Sequence, residues 1–169
     1  MKKFRKYLFL MFCIMFSGAL AFLIGNYKNI SNIMHGYPEI VVSTNELTFV
    51  NWTEADGTYV SGQDPQILLE NVNGYVNTVD IYADYPGSNK SITLFYKSAG
   101  DTDFSEERKY DAQNLVRGIT LKQQVSQLRI DLLEQEGITA SIDKVVLNAR
   151  DIGLDFWEVL LWAEFCLIS

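Results

Sequence analysis

The sequence predicts an antiparallel β-sandwich over residues 39–151, preceded by one apolar helix. Three observations carry that expectation. Tyr7 to Ile24 is apolar and uncharged, and the charge-free stretch between Lys6 and Lys28 is long enough for a helix to cross a bilayer core of about 30 Å. Beyond it, seven or eight short β-type runs recur at spacings of roughly 10 to 15 residues, punctuated by Gly, Pro, Asn and Asp. No amphipathic helix separates these runs, so a sandwich is expected rather than a βαβ fold.

The apolar segment orients the chain. Lys2, Lys3, Arg5 and Lys6 precede it, and basic flanks stay in the cytoplasm, so the rest of the chain is expected outside. A cleaved signal peptide is the alternative, because Ala19-Leu20-Ala21 resembles a small-residue cleavage site. Phe22, Leu23 and Ile24 continue the apolar run past that triplet, which favours an uncleaved anchor in the cell membrane. Cys13 follows Phe12, where a lipoprotein signal would carry a small residue. The organisation read from this is an anchor over 1–25, a linker over 26–38, the sandwich over 39–151 and an apolar segment over 152–169.

Composition narrows the partners. The chain of 169 residues has 14 basic and 21 acidic side chains; with the four basic residues before the span set aside, 10 face 21, a net charge of −11. Nucleic acid and anionic lipid surfaces need clustered Lys and Arg, so such an acidic domain suits neutral sugars, cations or basic proteins. The two cysteines, Cys13 and Cys166, lie at opposite ends and provide no disulfide framework. The chain beyond the span has the length of one domain of ordinary size.

Asn26 to Pro38 mixes polar residues with Gly36 and Pro38 and reads as a stalk; its lone His35 lacks the companions a zinc site requires. Ile40-Val41-Val42, Leu47–Val50 and Gln66–Glu70 are short strands, with Asp56-Gly57, Ser61-Gly62 and Asp64-Pro65 as turn signals. In Tyr75 to Ala83 the alternation puts Tyr75, Val79, Ile81 and Ala83 on one face and Thr78, Asp80 and Tyr82 on the other. Ser91 to Lys97 repeats it with Ile92, Leu94 and Tyr96 inward. Ala99 to Asn114 is polar and acidic and reads as a surface excursion, after a turn at Pro86-Gly87. Val116–Leu121 and Val125–Leu132 are strands, the second with Leu128, Ile130 and Leu132 inward and Gln127, Arg129 and Asp131 outward. Gln135-Glu136-Gly137 turns the chain into a last strand or strand pair over Ile138–Asn148.

The tail from Leu154 to Ile168 crowds Phe156, Trp157, Leu160, Leu161, Trp162 and Phe165 into one run, leaving a helix there no fully polar face. Three readings stay open: a short helix on the sandwich, an interfacial helix, or the first turns of a second span.

No catalytic constellation is visible. One His, no nucleophile-elbow motif, no phosphate-cradling glycine loop and no His/Cys cluster leave the usual nucleophilic and metal-hydrolytic chemistries without parts, so a non-enzymatic role is expected. Sugar binding is the sharper expectation, since sugars stack on aromatics and bond flanking polar groups. The candidate residues are Trp52, Tyr59, Tyr82, Tyr85 and Tyr110, with Asp56, Asp84 and Arg108 as polar partners. Each aromatic has a plainer reading as sheet packing. No cofactor and no metal is expected; calcium at the Glu54-Asp56-Gly57 turn is the alternative, although that turn lacks the dense acids of a dedicated loop. Asn29, Asn51 and Asn89 begin Asn-x-Ser/Thr triplets of the kind that arise by chance.

Several stretches together resemble the galactose-binding-like jelly-roll sandwich: Asp64-Pro65 leading into a strand, Leu94-Phe95-Tyr96 before the acidic loop with Phe104-Ser105-Glu106, and Leu128-Arg129-Ile130-Asp131 followed by Ile142-Asp143-Lys144-Val145. In bacteria this module is similar to extracytoplasmic domains attached to membrane proteins of cell-surface polysaccharide assembly, including glycosyltransferases. The resemblance implies a non-catalytic, membrane-anchored module that binds carbohydrate or supports envelope polysaccharide assembly. A protein-interaction module of an envelope complex, or an accessory part of a membrane glycosyltransferase, are the alternatives. No catalytic residue is carried over.

Overall fold

A computed structural model describes residues 2–86, 91–113, 116–132 and 135–153. The chain divides into two compact units, Met1–Met34 with Arg150–Ser169, and His35–Ala149. The expected apolar C-terminal helix and the Pro86-Gly87 turn fall wholly or partly outside the described residues.

In the first unit, helix α1 (Lys2–Met34) is 33 residues long, and its stretch Phe4–Met34 is the one helix among the described residues long and apolar enough to cross a membrane. At 1.5 Å per residue it measures about 50 Å, well beyond a hydrocarbon core of about 30 Å. Helix therefore continues through most of the stretch that reads as a linker. Asn26 explains part of this, since its amide donates back to Phe22 O at 2.9 Å inside the helix. Gly36, with φ +68, follows the last turn, a conformation that costs glycine least.

The second unit has nine strands: β1 (Ile40–Ser43), β2 (Thr48–Ala55), β3 (Thr58–Leu69), β4 (Gly74–Asp84), β5 (Ser91–Lys97), β6 (Lys109–Gln113), β7 (Ile119–Val125), β8 (Gln127–Asp131) and β9 (Thr139–Leu147). One sheet runs β1-β9-β4-β7 and the other β2-β3-β8-β5-β6, all neighbours antiparallel. A short β3–β9 pairing at Tyr59–Ala140 and Val60–Thr139 joins them at one corner. With β2 set aside as the hairpin partner of β3, consecutive strands alternate between the sheets except at the β5–β6 hairpin, which is the order of a jelly roll. Both sheets bury their inner faces in one core, with Ile67, Leu69, Ile92, Leu94, Leu128 and Ile130 from the five-stranded sheet and Val79, Ile81, Ile119, Val145 and Leu147 from the other.

Several details depart from simple alternation. β3 runs unbroken through Ser61-Gly62 and Asp64-Pro65, which read as turns; these residues bend the strand as it leaves β9 for β8. Gly62 is needed there, because a Cβ would stand 2.9 Å from the Asn51 carbonyl oxygen. In β4 a bulge between Val76 and Thr78 reverses the faces at the start of the strand, so Val76 enters the core and Tyr75 turns outward against Tyr37, ring centroids 4.6 Å apart. Asn148 plugs that bulge. Its Oδ1 accepts from Asn77 N at 2.7 Å and Thr78 N at 3.3 Å, while its Nδ2 donates to Tyr75 O at 2.8 Å and Pro38 O at 3.2 Å.

The excursion Ala99–Asn114 contains an edge strand, β6, because Lys109–Gln113 pairs with β5 despite its polarity. The expected strand Val125–Leu132 is two: Ser126 donates its N–H to Lys97 O at 2.7 Å and marks where the chain crosses between sheets. Leu128, Ile130 and Leu132 nonetheless point into the core as their spacing predicts. The strand expected over Val116–Leu121 is shifted, with β7 beginning at Ile119; Val116 O instead accepts from Ile81 N at 2.7 Å.

Candidate functional site

The candidate residues fall into four places, the corner cleft, the β2–β3 hairpin, the outer face of the four-stranded sheet and the β5–β6 edge. Asp84 and Tyr85 line an open cleft of about 410 Å³ with Thr58, Pro86, Thr139 and Ser141. The pairing of Asp84 with Ser141 at the end of β4, and of the β3 start with the β9 start, brings these side chains together at the corner between the sheets. Asp56 is exposed at the tip of the β2–β3 hairpin with φ +50, a conformation Asp tolerates, and Tyr59 follows the cleft residue Thr58. Trp52 and Tyr59 belong to one aromatic cluster: Tyr59 stacks on Phe49 at 4.0 Å and Trp52 meets Phe49 edge-on at 6.4 Å. Both pack on the core, and burial followed by the Glu54 charge pushes the Tyr59 phenol pKa up. Tyr85 is itself a core residue, 5% exposed, and burial raises its pKa too.

Tyr82 stands apart on the four-stranded sheet, with the Arg117 guanidinium 4.2 Å and the Lys144 ammonium 4.6 Å from its ring centroid. Those cations take the ring faces that a sugar would stack on. Arg108 and Tyr110 sit at the β5–β6 edge. Arg108 donates to Ser98 Oγ at 2.5 Å and pairs with Asp101 at 3.2 Å, whereas Tyr110 is 37% exposed, the most open aromatic of the sandwich among the described residues.

A polar network absent from the candidates lies on the outer face of the five-stranded sheet. Arg129 grips Asp131 with Nε at 2.8 Å and a terminal nitrogen at 2.6 Å, and reaches Asp64 at 3.3 Å. Its guanidinium lies 4.9 Å from the Phe95 ring centroid. The Asp131 carboxyl is pushed above its usual pKa because burial outweighs the guanidinium, while its hydrogen bond to Arg129 raises the Arg129 pKa. The two shifts are consistent: the pair attracts, but its acidic half lost more water than it regained in contacts. Outward alternation of Arg129 and Asp131 was the sequence signal for this network; the Asp64 contact from a distant strand left none.

The two polar groupings differ in what they can offer a ligand. Around Arg129 the donors and acceptors already bond one another. In the cleft, Thr58 Oγ1 is committed to Ala55 O at 2.7 Å, but Asp84, Thr139 and Ser141 make no side-chain hydrogen bond with any described residue. Among the described residues, no group of three or more His, Cys, Asp or Glu side chains is placed to hold a metal.

No protein-family model matches the chain, and no curated protein matches it. Solved structures superpose on about two thirds of the chain. A xylan-binding module, CBM86 from the gut symbiont Roseburia intestinalis, superposes with a TM-score of 0.42 at 14% identity over 65% of this chain and 94% of that one. A family 29 carbohydrate-binding module gives a TM-score of 0.39 at 7% identity over 66% and 90%. A glycosylation-associated protein complex from Streptococcus agalactiae gives 0.40 at 12% identity, over 69% of this chain and 28% of that one.

Proposed function

We propose that this chain is a membrane-anchored, non-catalytic module that holds neutral carbohydrate in the corner cleft. The observation that carries the reading is the set of uncommitted polar side chains there: the Asp84 carboxylate accepts sugar hydroxyls, the Thr139 and Ser141 hydroxyls donate or accept, and Tyr85 and Pro86 supply apolar surface. The cleft volume of about 410 Å³ lies within the range of small-ligand sites. An acidic domain repels anionic polymers and tolerates neutral ones. α1 provides the anchor; Lys2, Lys3, Arg5 and Lys6 hold its start in the cytoplasm, leaving the sandwich outside the cell membrane among envelope polysaccharides.

The test is retention of neutral oligosaccharides by the full chain in detergent, read by glycan array and calorimetry. Asp84→Ala should weaken binding at least about 10-fold, equivalent to about 1.4 kcal/mol for a lost charge-assisted hydrogen bond. Arg129→Gln should leave it unchanged. Equal binding by Asp84→Ala overturns the cleft as the place of binding, and no glycan retained while an envelope protein co-purifies overturns the reading in favour of a protein-interaction module.

A further inference from the structure

Two cations on the outer face of the four-stranded sheet are held by their backbones while their charged ends are left uncommitted. Arg117 is fixed from both sides: Ile81 N donates to Val116 O at 2.7 Å, and Gly118 N donates to the Asp80 carboxylate. Lys144 sits at the β4–β9 bulge, where Tyr82 faces Lys144, Ala83 faces Ile142 and the register passes over Asp143. Thr44 pins that bulge, its Oγ1 sharing one hydrogen between Ile142 O at 2.6 Å and Asp143 O at 2.5 Å. The guanidinium and the ammonium are thereby brought to 4.2 Å and 4.6 Å from the centroid of one ring, that of Tyr82. Neither makes an ion pair or a hydrogen bond with any described residue, whereas Arg108, Lys109 and Arg129 each pair with a carboxylate.

The two cationic heads offer donors and no acceptor, since neither a guanidinium nor an ammonium has a lone pair to give. A sugar hydroxyl uses half of its capacity against them, because its own hydrogen finds nothing there to bond. An oxyanion is acceptor-only and forms charge-assisted bonds about twice as strong as neutral ones. The neighbouring carboxylates on this face are Asp80, Asp84 and Asp143. Asp80 is buried and already accepts from Gly118 N, while Asp84 and Asp143 are exposed, where water and salt screen them. An anion touching Arg117 and Lys144 lies well inside a Debye length of about 8 Å, and most of the acidic charge of the domain acts from beyond it.

Tyr82 and Asp84 stand two residues apart on β4, on one face of the strand and about 7 Å from each other. We propose that the Arg117–Tyr82–Lys144 platform takes one oxyanion, a carboxylate or phosphate carried as a single substituent by the glycan whose neutral ring lies in the corner cleft. The cleft holds the ring through Asp84, Thr139 and Ser141, and the platform selects the chains that bear the substituent beside it. A densely charged polymer is still repelled by the acidic domain, so sparse charge on a neutral chain is what the two sites together favour. Oxyanion capture by the platform stands without the carbohydrate reading, whereas the chain that bears the anion rests on it.

Two measurements on the full chain in uncharged detergent keep those premises apart. The first titrates it with inorganic phosphate and with glucuronate at physiological ionic strength, following the Tyr82 ring resonances by NMR. They should move saturably in the wild type and in Lys122→Gln, which removes an exposed cation on β7, and stay still in Arg117→Gln/Lys144→Gln. No movement, or equal movement in the double variant, overturns the platform. The second measures retention of neutral oligosaccharides and of the same chains bearing one uronate or one phosphate. Substituted chains should bind about 10-fold more tightly, and whichever substituent gives the larger gain identifies the source of the oxyanion. Arg117→Gln/Lys144→Gln should lose that preference and Lys144→Arg should keep it, while Asp84→Ala weakens both kinds of chain alike. Equal retention of substituted and unsubstituted chains overturns the platform as a selector and leaves the carbohydrate reading intact. No chain retained while phosphate or glucuronate still moves Tyr82 overturns the carbohydrate reading and leaves the oxyanion site alone.

Discussion

Replacing Asn148 removes four hydrogen bonds from a site with no exposure to solvent. Asn148→Ala leaves the N–H groups of Asn77 and Thr78 without their acceptor and the carbonyls of Tyr75 and Pro38 without their donor. A typical intramolecular hydrogen bond contributes about 0.5–1.5 kcal/mol net, and an orphaned buried group costs more. The 3.3 Å and 3.2 Å bonds are long, so the two short ones, at 2.7 Å and 2.8 Å, dominate, and a loss of about 3 kcal/mol is expected. Against a domain stability of about 5–15 kcal/mol this is large. At roughly 4 °C per kcal/mol it lowers Tm by roughly 12 °C. Asn148 also holds φ at +54, so backbone strain must be separated from lost bonding. Asn148→Gly does so, since glycine relieves φ yet restores no bond, and it should melt nearly as low as Asn148→Ala. Circular dichroism melts of the full chain in detergent decide the matter. An Asn148→Ala chain within about 2 °C of wild type, or a glycine variant at wild-type Tm, refutes the claim that the amide holds the bulge.

Ile130, fully buried between the sheets, should cost about 2–5 kcal/mol when cut to Ala; a silent variant in the same melts would show the register of β8 to be wrong. Gly62→Ala drives a Cβ to 2.9 Å from the Asn51 carbonyl oxygen and should destabilise by about 1–3 kcal/mol, whereas the open Gly153→Ala leaves the sandwich melt unchanged; equal effects would contradict the tight β3 bend. Asp131 titrates above the ordinary 3.8 because burial outweighs Arg129. The folded state thus holds this proton more tightly than the unfolded chain, so the contribution of this group is least favourable when ionised and improves as pH falls through its folded pKa towards 3.8. Arg129→Gln, which removes the lowering partner in hydrogen-bond contact, should raise the Asp131 pKa further in a carboxyl-carbon NMR titration, and a fall would reverse the assignment of cause.

Whatever depends on local periodicity could be read directly. The uncharged run after Lys6 required a long apolar helix, and alternation over Ser91–Lys97 and Leu128–Leu132 placed Ile92, Leu94, Leu128 and Ile130 inward, because successive strand side chains point to opposite faces whatever their partners. Order and polarity also located most of the strands of the sandwich. Pairing was decided elsewhere. Lys109–Gln113 has no strand signature and becomes β6 only because β5 presents an open edge, while Gly62 and Asp64, punctuation in the sequence, become a bend because β3 must serve two sheets. Asn77 reverses the faces of β4 through a bulge that Asn148, 71 residues away, satisfies, and nothing near either residue announces the other. The candidate site divides in the same way. Asp84 and Tyr85 were visible as a polar and an aromatic residue after a strand, but Thr58, Thr139 and Ser141 join them only at the corner where the two sheets meet. Local periodicity follows from the geometry of one backbone; a cleft is set by which distant backbones pair, and that balance belongs to the folded chain as a whole.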